Sequence, residues 1–155
     1  MRRQVLVSVC LTLATTGLRA QTTEADVLAV VQRLFDGMRA GDSAMVRSVF
    51  DANARLVSAD ERDGQPLVQV RTADTFVAAV GRPHDAVWDE RIWGTEVRMD
   101  GNLASVWTRY AFYLGDRFSH CGVDAFHLVR RAEGWKIVDL ADSRRREACE
   151  MPPVR

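Results

Sequence analysis

Residues 88–143 read WDERIWGTEVRMDGNLASVWTRYAFYLGDRFSHCGVDAFHLVRRAEGWKIVDLADS, and their apolar period is two. Segments 88–99, 103–114, 119–131 and 135–143 are rich in Val, Trp, Tyr, Phe and Thr, residues that suit a pleated surface. Between them stand Asp100-Gly101-Asn102, Gly115-Asp116-Arg117 and Ala132-Glu133-Gly134, short turn signals that join neighbouring strands. The stretch predicts a four-stranded antiparallel meander.

Upstream of Pro83 the period lengthens to that of a helix. Val27, Val31, Leu34, Phe35 and Met38 recur at steps of three and four behind Thr22 or Thr23 as a cap, and Gly41 stops the run. Asp42 or Ser43 caps a short second helix carrying Met45, Val46, Val49 and Phe50. Residues 54–59 read as a strand and 60–65 as a turn. Thr72 or Asp74 starts a third helix with Phe76, Val77 and Val80, which Gly81 and Pro83 end. Helices first and an antiparallel sheet afterwards is an α+β plan, three helices covering one face of the sheet.

The first twenty residues carry an address rather than a fold. Arg2 and Arg3 precede an apolar run from Val5 to Ala14, and small residues lead to Ala20. That zoning predicts a signal peptide over 1–20 and a domain over 21–155, exported to the periplasm or secreted. The apolar run is too short to span a hydrocarbon core of roughly 30 Å, so no membrane insertion is expected after cleavage. Lys plus Arg and Asp plus Glu each number 21, but Arg2, Arg3 and Arg19 leave with the leader, giving 18 basic against 21 acidic groups. A net negative chain argues against nucleic acid, which needs a concentrated positive surface. Composition, at 47% apolar and 27% charged, is that of one globular unit.

Export also frames the cysteines. Cys10 leaves with the leader, and Cys121 and Cys149 remain as the pair for one disulfide bond. A three-residue loop at 132–134 sets Arg131 opposite Trp135, hence His127 opposite Asp139 and Cys121 opposite Arg145. Cys149 then overshoots its partner by four residues, some 13 Å along a straight strand at about 3.3 Å per residue. The chain must turn back after about Arg145 for the bond to close.

Helix, helix, strand, helix and a long curved meander is an order that resembles the nuclear transport factor 2-like superfamily, over residues 24–146. Within it, the runs at 88–94 (WDERIWG), 110–115 (YAFYLG), 120–126 (HCGVDAF), 134–138 (GWKIV) and 142–145 (DSRR) look like the bacterial subgroup named for putative lumazine-binding. The resemblance implies a cone with a pocket between helices and sheet. It implies no particular chemistry, because the superfamily holds isomerases, dehydratases and cyclases beside non-catalytic binders. Its isomerases set a carboxylate base opposite a tyrosine and a second acid, and Tyr110, Tyr113, Asp124 and Asp139 are the available parts.

From the residues themselves, a histidine held by a carboxylate can act as a general base near neutral pH, which makes His127 with Asp139 a catalytic candidate. The alternative is a structural cross-strand pair. His127 would share its face with Val123, Ala125, Val129 and Ile137, while Phe126, Leu128, Val138 and Leu140 occupy the other. Two apolar faces suggest one pocket and one interface, hence a homodimer. Which face lines the pocket stays open. His120, Cys121, Asp124 and His127 are close in sequence, but on a strand they point to opposite sides, so no metal is expected. Trp88, Asp89, Glu90, Arg91 and Trp93 read as an ion-paired edge before a pocket rim. Arg144-Arg145-Arg146 reads as a solvated face. No nucleotide, phosphate or nucleophile motif appears, and no cofactor is expected.

The leading expectation is therefore an exported, non-catalytic pocket protein for a small apolar or aromatic ligand, with Trp93, Trp107, Tyr110, Phe112, His127 and Asp139 as binding residues. The alternatives are an acid-base enzyme drawing on His127, Asp139, Asp124 and Tyr110, and a dimeric interaction module without ligand.

Overall fold

The computed structural model describes residues 23–150 and 152, so the leader expected at 1–20 lies outside the described residues. Helix α1 spans Glu24–Ala40. It begins where the Thr23 backbone N–H donates to the Asp26 carboxylate at 2.8 Å, and ends at Gly41, whose φ of 64° is left-handed. Its stripe of Val27, Val31, Leu34, Phe35 and Met38 is buried. Each such side chain contributes roughly 1.5–3 kcal/mol on leaving water. Helix α2, Ser43–Val49, is capped by Asp42, which accepts from the Met45 N–H at 2.9 Å. Gly37 lets α2 approach α1, since a Cβ there would lie 2.7 Å from a Val46 methyl. Helix α3, Ala73–Val80, starts after Thr72 and stops at Gly81.

The sheet has six strands where the sequence predicted five, one at 54–59 and a meander of four: β1 Phe50–Arg62, β2 Gln65–Thr72, β3 Trp88–Asp100, β4 Leu103–Leu114, β5 Arg117–Arg131 and β6 Gly134–Ser143. Their order is β2-β1-β6-β5-β4-β3. The meander occupies β3 to β6. The expected turn at 60–65 is instead the tip of a β1-β2 hairpin, closed by Asp63 and Gly64, both at positive φ. Val68 and Val70 on β2 are exposed, so this edge hairpin lacks the alternation that marks a half-buried strand. Strand β1 joins the meander by pairing parallel to β6, which makes the sheet mixed. The architecture is α+β, with the helices packed on one face.

The β5-β6 register corrects one expectation and keeps two. The loop is two residues, with Arg131 opposite Gly134, not Trp135. An irregularity between His127 and Leu128 inserts Val138 into β6, after which His127 faces Asp139 and Cys121 faces Arg145, as predicted. The bulge also moves Ile137 to the helix-covered face, opposite Leu128, where it is fully buried. Beyond Arg145 the chain turns back, and Ala148 takes a positive φ of 51°. Cys149 and Cys121 then form a disulfide with α-carbons 6.0 Å apart.

Candidate functional site

The register assigns every strand residue to a face. On the inner face, Leu56, Leu140, Phe126, Val106 and Val97 form a row across five strands, and α1 and α3 cover it. One step along, Ser58, Asp142, Asp124 and Thr108 form a polar row. The next row holds Gly122, Tyr110 and Ile92, and the next His120, Phe112 and Glu90. The sheet is therefore apolar under the helices and becomes polar toward one end, where a cavity opens. Leu34, Phe35 and Met38 of α1, Phe76 of α3, Leu56 and Leu140 make its apolar side. Ser58, Arg71, Glu90, Tyr110, His120, Asp142 and Arg144 make its polar side.

Two carboxyl groups meet here. Glu90 comes from β3, which Arg39 of α1 holds in place by donating to the Asp89 carboxylate and the Glu90 carbonyl, 3.2 Å each. Asp124 comes from β5 and is buried at 3% exposure. The two side chains lie within hydrogen-bonding reach of each other, a contact that is favourable only when one of them carries a proton. Burial pushes Glu90 up to about 7, with the Asp142 charge adding to the rise and the Asp124 hydrogen bond opposing it. Asp124 is raised well above the usual carboxylate range by burial and by the Glu90 charge and hydrogen bond. Its Oδ2 has no partner among the described residues. This is the arrangement in which a carboxylic acid keeps its proton near neutral pH and can donate as well as accept.

The surrounding groups are fixed by hydrogen bonds. Asp142 accepts from Ser58 Oγ and Arg144 Nε, each at 2.6 Å. Burial, then the Arg144 charge, lowers His120 to about 4, so its ring is neutral at pH 7. Its Nδ1 lies 3.0 Å from Ser119 Oγ, and its ring packs against Phe112 and Tyr110. The Tyr110 hydroxyl, raised strongly by burial and neighbouring acids, donates to the Ser143 carbonyl.

The sequence candidates divide between the two faces. Tyr110 and Asp124 point inward, and Phe112 backs the cavity through His120. His127 and Asp139 do pair, at 3.7 Å, but on the outer face, where the His127 side chain is 55% exposed and Arg55 also grips Asp139 at 2.6 Å. Trp107, 55% exposed, and Trp93 share that outer face. These four therefore lie outside the cavity, because strand alternation puts them opposite to Tyr110 and Asp124. His120 and Asp124 point inward while Cys121 is tied in its disulfide, and the described residues hold no cluster able to bind a metal ion. The charged edge at 88–93 is ion-paired through Asp89, Arg91 and Arg39, except that Glu90 turns inward. Ser58, Arg71, Glu90, His120, Asp142 and Arg144 are polar site residues that sequence reasoning passed over, and Arg144, expected on a solvated face, lines the cavity. The available signal was Glu90 standing between Trp88 and Ile92 on an otherwise apolar strand face.

A family model described as Putative lumazine-binding matches residues 22–141. No curated protein matches the chain. Solved structures agree on the fold. An NTF2-like protein of unknown function from Silicibacter pomeroyi has a TM-score of 0.57 at 18% identity, covering 78% of this chain and 94% of its own. A putative ketosteroid isomerase from Shewanella frigidimarina gives 0.58 at 18%, covering 77% and 96%. A putative dehydratase of the NTF2-like family from Streptomyces avermitilis gives 0.59 at 16%, covering 77% and 94%.

Proposed function

We propose that this chain, which belongs to the putative lumazine-binding family and has the NTF2-like fold, is an exported homodimer that binds a small, partly apolar molecule in its cone cavity. The observation that carries this reading is the two-sided cavity, apolar where α1 and α3 meet Leu56 and Leu140, and polar where Ser58, Arg71, Glu90, Tyr110, His120 and Asp142 face it from the sheet. Such a wall desolvates a ring and orients it by a few hydrogen bonds. The test is fluorescence titration with the neutral probe N-phenyl-1-naphthylamine and with lumazine, the ligand in the family's name. Saturable binding that Leu56→Trp abolishes by filling the cavity is expected. Absence of saturable binding by either molecule, or binding indifferent to the substitution, overturns the reading.

The Glu90–Asp124 pair favours acid-base catalysis as a second reading. A carboxyl with a pKa of about 7 on a cavity wall can both take and return a proton at physiological pH. Two fold neighbours carry isomerase and dehydratase names. Deuterium exchange at the α-carbon of an enolisable cyclic ketone, followed by NMR, separates the readings. Exchange lost in Glu90→Gln supports an enzyme. No exchange above buffer leaves the protein a binder.

A further inference from the structure

The cavity wall carries two cations of different standing. Arg144 is committed to Asp142 through Nε. Arg71, on β2 opposite Leu56, has no carboxylate partner among the described residues and hydrogen-bonds only to Gln69. It nevertheless lines the cavity beside Phe76. An unpaired guanidinium at the edge of an apolar chamber is favourably placed to meet an oxyanion that enters with an apolar body.

We propose that the ligand of this cavity is a monoanionic carboxylate, its charge met by Arg71 at the mouth, its apolar body between Phe35, Met38, Phe76 and Leu140, and a neutral polar group against Glu90. This rests on the pocket reading above and adds the ligand's charge and polarity. A carboxylate suits the site better than a phosphate. One guanidinium is free, and a dianion would leave a second negative charge facing Asp142. The far end needs a neutral group because Glu90 and Asp124 already crowd two acids together. With a proton held between them they offer a donor and an acceptor, which a carbonyl, hydroxyl or ring amide can complement.

The experiment compares 3-phenylpropanoate, 3-phenylpropanamide and 2-phenylethyl phosphate by competition with N-phenyl-1-naphthylamine at low salt. The carboxylate is expected to bind at least tenfold more tightly than the amide and more tightly than the phosphate. Arg71→Gln should erase the preference over the amide, and Arg71→Lys should keep part of it. Arg71 is exposed, so its substitution leaves the fold intact. Equal binding of amide and carboxylate, tighter binding of the phosphate, or a preference that survives Arg71→Gln overturns the proposal. If the neutral probe binds and the carboxylate does not compete, the charge assignment fails while the pocket stands. If the neutral probe does not bind, the pocket reading itself has failed.

Discussion

The Tyr110 hydroxyl donates to the Ser143 carbonyl at 2.9 Å, and its ring crosses β5 at Gly122, the one position in that row without a side chain. A Cβ at residue 122 would lie 1.8 Å from the Ser143 oxygen and 2.9 Å from the Tyr110 ring. Gly122→Ala must therefore shift backbone, and a loss of about 2–4 kcal/mol is expected. Tyr110→Phe should cost less, about 1–2 kcal/mol, since it removes one buried hydrogen bond and keeps the ring. Urea unfolding of both variants checks this order, and a Gly122→Ala protein as stable as the parent would refute the packing account.

The carboxyl pair and His120 pull stability in opposite directions with pH. Glu90 and Asp124 are raised on folding, so between about 4.5 and 7 the folded state binds more protons than the unfolded, and stability falls as pH rises. His120 is lowered from 6.5 to about 4, so its contribution is present above 6.5 and is lost as pH falls toward 4. Each full proton of difference is worth about 1.4 kcal/mol per pH unit. The parent should lose stability between pH 5 and 7, whereas the Glu90→Gln, Asp124→Asn double variant should gain it. Chemical denaturation at pH 5, 6, 7 and 8 reads both slopes, and parallel curves for the two proteins would contradict the shared proton.

The disulfide closes a loop of 28 residues and holds the returning C-terminal tail against the start of β5. A loop of that length is worth about 3–4 kcal/mol in the chain-entropy account. Non-reducing peptide mapping of exported protein should find Cys121 joined to Cys149. The Cys121→Ala, Cys149→Ala double variant should unfold at lower urea concentration, and an unchanged midpoint would show that the tail contributes nothing.

On the outer face Leu103 and Trp107 are more than half exposed, and Val123, Ala125 and Val129 lie partly open beside them. Apolar surface gathered this way suits a second copy of the chain. Sedimentation at tens of micromolar should return twice the monomer mass, and Trp107→Glu should return the monomer with the cavity still able to bind its probe. A monomeric parent would remove the homodimer from the proposal.

Export is checked by intact mass. Protein recovered from its native cell should begin near Gln21, and a chain still carrying Met1 through Ala20 would contradict the address read in the N-terminus.

Local chemistry made much of this molecule legible. The stripe at Val27, Val31, Leu34, Phe35 and Met38, closed by Gly41, defines α1 because burial and capping act within a few residues of chain. Turn residues at 101, 115 and 132–134 set the meander for the same reason. The pairing of His127 with Asp139 is different: counting out from the two-residue hairpin gives Val138, and only the bulge between His127 and Leu128 restores Asp139.

What the sequence by itself determined, then, is the order of the three helices and of the meander β3 to β6, the α+β class and the partner of Cys121. Only the tertiary structure decided which face looks inward, because both faces of β5 are apolar and the choice depends on where α1 and α3 pack. It also placed β1 parallel against β6, a contact between segments some 84 residues apart that no local signal encodes. The same holds for the site. Glu90 and Asp124 are both visible in the sequence, but they stand on β3 and β5, on either side of β4, and only the folded sheet turns both to the buried face. A carboxyl pair of this kind is a property of distance and burial, and neither is written in residue order.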